Sequence, residues 1–180
     1  MKKKIEDIIK DGIEKALVRL NRISTGKWKL ESLSVGPLKP EDDEYLCVYL
    51  ALKEKDLFSS LLTVNKKFVY DVFKEIKGSF VLPGYYSETI YELFINEVGN
   101  IILNSILSGF ANLLKISIVP EYPKTINGSE SFVVDNIFSF VDGYHNKGLI
   151  SVRIVLKGSS CEIPFNIYLF VSENLIREVL

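Results

Sequence analysis

The sequence predicts an α+β domain made of two similar halves, about residues 1–79 and 85–180. Three observations lead there. Apolar residues recur at helical spacing in some stretches and gather into short strand-like runs in others. The order helix, strand, hairpin, helix occurs twice along the chain. A chain of 180 residues can bury one core of its own.

In the first half, Ile5, Ile8, Ile9, Ile13, Ala16, Leu17, Leu20 and Ile23 line one side of a helix that Thr25-Gly26 ends. Lys27 to Val35 follows as a strand, broken by Gly36-Pro37 and Pro40. Glu44 to Leu52 and Leu57 to Val64, with a charged Lys53–Asp56 turn between them, read as a hairpin. Lys66 to Lys77 has helical period, with Gly78 placed as its C-terminal cap.

The segment Phe80 to Tyr86 holds Pro83-Gly84 and links the halves. Ser87 is the expected N-cap of a long helix reaching Leu114, with Glu88 beside the positive end of its dipole. Lys115 to Val119 reads as a strand, and Pro120 and Pro123 turn the chain. Ser129 to Phe140 reads as a short helix with no counterpart in the first half. Leu149 to Leu156 and Glu162 to Val171 form a second hairpin, and Glu173 to Leu180 a closing helix. A shift of 86 residues superposes Lys29 on Lys115, Pro37 on Pro123, and Asp11-x-x-Glu14 on Glu97-x-x-Asn100.

Composition narrows the function. The formal net charge of −1 gives no basic field for nucleic acid. Arginine occurs only at 19, 22, 153 and 177, too sparsely for a clamp on a free phosphorylated metabolite. Met1-Lys2-Lys3-Lys4 leads into Ile5-Glu6-Asp7 rather than an apolar run, which argues against a secretory signal and for a cytoplasmic protein. Asn104, Ser105, Ser108 and Asn112 interrupt the apolar stretch 101–114, so no membrane insertion is expected. Cys47 and Cys161 read as two buried thiols. One histidine, His145, leaves no Cys/His zinc set. It lies in a turn-like loop and reads as solvated, while Trp28 reads as packing.

The most informative motif is Glu97-Val98-Gly99-Asn100, with Pro123 twenty-three residues beyond Asn100. A carboxylate and a carboxamide three residues apart share a helix face and can be offered together to a partner. The same helix carries Glu92, Asn96 and Asn104 on that arc, so a solvated polar side of an amphipathic helix gives the same pattern.

Glu97, Gly99, Asn100 and Pro123 resemble the signature of the CheC/CheX/FliY phosphatases of chemotaxis, which dephosphorylate a CheY-type receiver. The signature covers Tyr91 to Pro123; the order of elements covers the whole chain. The resemblance implies two αββ-type halves related by a pseudo-twofold axis, with two long helices packed on a largely antiparallel six-stranded sheet. It makes Glu97 and Asn100 catalytic, Gly99 and Pro123 structural, and Asn96, Asn104 and Leu93 partner-facing. It implies a phosphorylated CheY-like receiver as partner, with a CheD-like partner or a homodimer as further possibilities. The chain needs no metal or cofactor of its own, the magnesium being the receiver's. In two places the sequence departs from the pattern. Leu93 stands where the family has Asp or Ser, and Asn104 where glycine is common. Asp11 and Glu14 in the first half include no amide, so one working site is expected. Leu93 leaves open whether the chain is a phosphatase or a non-catalytic adaptor of the same fold.

Overall fold

The computed structural model describes residues 2–52, 58–78, 88–142 and 147–172. The closing helix expected at 173–180, the cap at Ser87, the Pro83-Gly84 link and His145 lie outside the described residues. Helix α1 spans Lys2–Ile23, β1 Lys29–Val35, β2 Glu44–Ala51 and β3 Phe58–Asn65. A short 3-10 turn, Lys66–Phe68, leads into α2, Val69–Lys77. In the second half come α3, Glu88–Leu114; β4, Lys124–Ser129; α4, Glu130–Asp142; β5, Lys147–Lys157; and β6, Glu162–Ser172.

The six strands form one antiparallel sheet in the order β1-β5-β6-β3-β2-β4. Exchanging β1 with β4, β2 with β5 and β3 with β6 reverses this order onto itself. The sheet therefore carries the duplication, with its axis between β3 and β6. Alternation along the strands makes two faces. Leu46, Val48 and Leu50 on β2, with Phe165, Ile167 and Leu169 on β6, point to the face covered by α1, α2 and α3. Cys47, Leu61, Tyr168 and Phe170 point the other way and pack against Val133, Val134 and Ile137 of α4.

The two long helices run antiparallel, since Gly12 meets Ile106 while Ile8 meets Gly109. A Cβ on Gly12 would lie 2.8 Å from the Ile106 Cα, so the missing side chain lets the backbones approach. Beyond α1, Thr25 N–H and Gly26 N–H donate to the Ile76 and Glu75 carbonyls at 3.1 Å, satisfying the open end of α2. Gly78, at φ 89°, closes that helix with its N–H on Lys74 O at 2.7 Å.

Two buried carboxylates tie elements together. Glu75 accepts from Ser159 N–H at 2.9 Å and from Ser160 N–H at 3.0 Å and Oγ at 2.9 Å, fastening α2 to the β5–β6 turn. Burial alone would raise this carboxyl's pKa; the serine donors outweigh it and hold it below the ordinary carboxylate value. Glu130, fully buried at the head of α4, accepts from Thr63 Oγ1, from Asn166 Nδ2 at 2.8 Å and from Glu41 N–H at 3.1 Å.

Two expectations need correction. Lys115–Val119 is not a strand. Lys115 sits at φ 54° and Ile116 N–H returns to Ala111 O at 3.1 Å, a left-handed helix stop made without glycine. The strand is Lys124–Ser129, at the sheet edge, where a polar Asn-Gly sequence is tolerated. Helix α3 meets a membrane span's length and composition, as a core helix also can, and half of its most apolar window is buried inside the protein. Cys161 lies in the β5–β6 turn and is half-buried, so only Cys47 is a buried thiol. Burial raises both thiols, Cys47 to about 12, which disfavours either as a nucleophile.

Candidate functional site

The motif lies midway along α3. Buried Ile95, Val98 and Ile102 hold the helix on the sheet and leave the opposite side free. Gly99 faces β2, where a Cβ would lie 2.7 Å from Val48 Cβ and 2.8 and 2.9 Å from its two methyls. The glycine is thus a contact requirement: it sets how close α3 lies to the sheet. Glu97, two residues earlier, is exposed and has no hydrogen bond or ion pair among the described residues. Asn100 is half-buried on the same side, and its Oδ1 accepts from Asn104 Nδ2 at 2.6 Å. Asn104 is half-buried too, and its carbonyl accepts from Ser108 Oγ at 2.8 Å.

Strand β4 supplies what holds α3 from the side. The register pairs Val48 with Thr125 and Leu46 with Asn127, so both β4 side chains share the α3-facing surface of the sheet. Asn96 Nδ2 donates to Thr125 Oγ1 at 2.8 Å and to the Pro123 carbonyl at 3.4 Å. Asn127 Nδ2 donates to Glu92 Oε1 at 2.5 Å. The motif's proline stands just before β4, where a missing N–H costs no ladder bond, and its carbonyl is bonded to α3 one turn before Asn100. Asn96 therefore spends its donors inside the protein. Leu93, 64 % exposed, is the apolar residue of the patch.

Thr125 and Asn127 escape a reading of the sequence. Lys124–Ser129 has a single apolar residue, Ile126, and ends in Asn127-Gly128-Ser129, whose Asn-Gly pair is favoured in turns, so no strand pattern marks it in the sequence. A groove of about 240 Å³ adjoins the N-terminal end of the patch, lined by Lys66, Tyr70, Tyr91, Glu92 and Asn127 among others. Within its reach Lys66 pairs with Glu44 at 3.0 Å and Glu88 at 3.7 Å. A larger cavity, about 450 Å³ around Glu75, shares no residue with the motif.

No protein-family model matches the sequence, and neither does any curated protein. Solved structures do match. FliY of Thermotoga maritima is 16 % identical, with a TM-score of 0.66 over 99 % of this chain and 92 % of that one. The chemotaxis protein CheX from Desulfovibrio desulfuricans is 14 % identical, with a TM-score of 0.55 over 92 % and 99 %. The fold is of the CheC/CheX/FliY type. The FliM middle domain of Vibrio alginolyticus, 13 % identical, shares this CheC-type fold at a TM-score of 0.66 over 98 % and 99 %. In the CheC-type frame the predicted duplication, the paired long helices and the six strands are all present.

Proposed function

We propose that this chain is a phosphatase acting on a phosphorylated CheY-type receiver in chemotaxis or two-component signalling. The observation that carries the reading is the outward, accessible pair Glu97 and Asn100 on α3, with Asn100's carboxamide bonded to Asn104. An aspartyl phosphate is labile, and its loose transition state asks for a positioned water more than for a strong base. A carboxamide suits that role, since its oxygen accepts from the water and its NH2 donates to phosphoryl oxygen, with no charge brought near. Asn100 orients the water. Glu97, with no partner among the described residues, pairs with a lysine of the receiver and sets the register of docking. The magnesium belongs to the receiver's own carboxylates.

The test is phosphate release from a receiver charged with a small phosphodonor. Asn100→Ala should slow release by about 100-fold or more, the scale for one positioned polar group; an unchanged rate ends the catalytic assignment.

A second reading has its own support. Leu93 is apolar and exposed, and the FliM middle domain matches this fold as well as FliY does. A non-catalytic adaptor of this fold would bind its receiver and release no phosphate. Under that reading Leu93→Asp either creates turnover, marking a site that has lost it, or leaves binding alone.

A further inference from the structure

We infer that Asn104 is a positioning residue for Asn100: its amide N–H sets which edge of the Asn100 carboxamide faces the phosphoryl group. This inference rests on the phosphatase reading above. The torsion that turns a terminal amide is broad and roughly two-fold, so an unsupported asparagine presents either its oxygen or its NH2 outward. Those two states differ chemically, since one offers the water an acceptor and the other does not. Asn104 lies one helical turn beyond Asn100, and its Nδ2 donates to Asn100 Oδ1 at 2.6 Å. That bond occupies one lone pair of the oxygen. The second lone pair and both Nδ2 hydrogens of Asn100 stay free for water and phosphoryl oxygen. Asn104 is itself placed by buried Leu103 and Ser105 on either side of it. It thus acts on the reaction through Asn100, without needing to touch the receiver.

Steady-state dephosphorylation of a magnesium-loaded, phosphodonor-charged receiver tests this, with circular dichroism confirming that each variant is folded. Asn104→Ala should lower kcat about tenfold, the scale of one neutral hydrogen bond, with KM unchanged. Asn104→Asp, nearly isosteric and able only to accept, should lower it further, because it reverses the bond and brings a negative charge toward the phosphoryl group. Asn104→Gln keeps the donor and should retain most of the rate. The Asn100→Ala/Asn104→Ala protein should be no slower than Asn100→Ala alone.

If the Ala and Asp variants at 104 turn over at the parent kcat while Asn100→Ala is slow, this inference is wrong and the phosphatase reading stands. A change in KM at constant kcat also overturns it, since Asn104 would then contact the receiver. So does an additive loss in the double variant. A parent protein without turnover, or an Asn100→Ala variant at the parent rate, overturns both. Should the Ala variant fail to fold, the Asp variant decides alone.

Discussion

Placing one methyl group at Gly99 tests how the motif is seated. A Cβ there would lie 2.7, 2.8 and 2.9 Å from three carbons of Val48. Val48 is fully buried in a central region of β2, and a β-branched side chain has no spare rotamer with which to retreat. Helix α3 must therefore lift from the sheet or Val48 must strain, at a cost of about 3 kcal/mol, the upper end for overpacking. Alanine recovers about 1 kcal/mol through better helix propensity. The net expectation for Gly99→Ala is a loss of about 2 kcal/mol. Urea unfolding should show it as a midpoint lowered by about 1 M at unchanged slope, for a slope of about 2 kcal/mol/M. Val48→Ala removes the two methyls at 2.8 and 2.9 Å but keeps the Cβ at 2.7 Å, so it relieves part of the clash and should cost about 1 kcal/mol less in the Gly99→Ala background than in the parent. A Gly99→Ala protein as stable as the parent would refute the reasoning, as would a cycle additive to within about 0.5 kcal/mol.

Glu75→Gln should cost about 2 kcal/mol at neutral pH, because the serine donors lose a charged acceptor. Since the folded carboxyl titrates below its unfolded value, that stabilisation is present above about pH 4.3 and is lost as pH falls through the folded value. Urea titrations of both proteins should show the gap closing in acid, and a gap that widens there contradicts the assigned direction. Glu130→Ala leaves Asn166 Nδ2 and Glu41 N–H without their acceptor and should cost about 3 kcal/mol, read as a Tm lower by about 8 °C; an unchanged Tm rules out the anchoring role. Asn96→Ala should cost about 1 kcal/mol, and Thr125→Val should cost little further in that background, because the two side chains share one bond; independent, additive losses in the cycle would show that the tie is not formed in solution.

Much of the architecture was legible because each element buries a one-dimensional pattern. The α1 stripe from Ile5 to Leu20 and the apolar strand runs of β2 and β6 appear in the structure as they read in the sequence. The long helix likewise ends at Leu114. The reading failed where local pattern and tertiary placement part. At Lys115 a helix stop came without a glycine. At β4 an edge strand with a single apolar residue, Ile126, carries no strand pattern of its own, and it is that strand which brings Thr125 and Asn127 to the site.

The linear order of residues was enough to establish a duplicated α+β domain, because periodicity is a property of the chain itself, and the resemblance to the CheC-type signature singled out Glu97, Gly99, Asn100 and Pro123. Only tertiary structure decided that Gly99 is a point of contact with Val48, that Asn96 is bonded to β4, and that Asn104 holds Asn100. Those relations join residues on different elements, or choose one torsion among several, and packing alone selects among them.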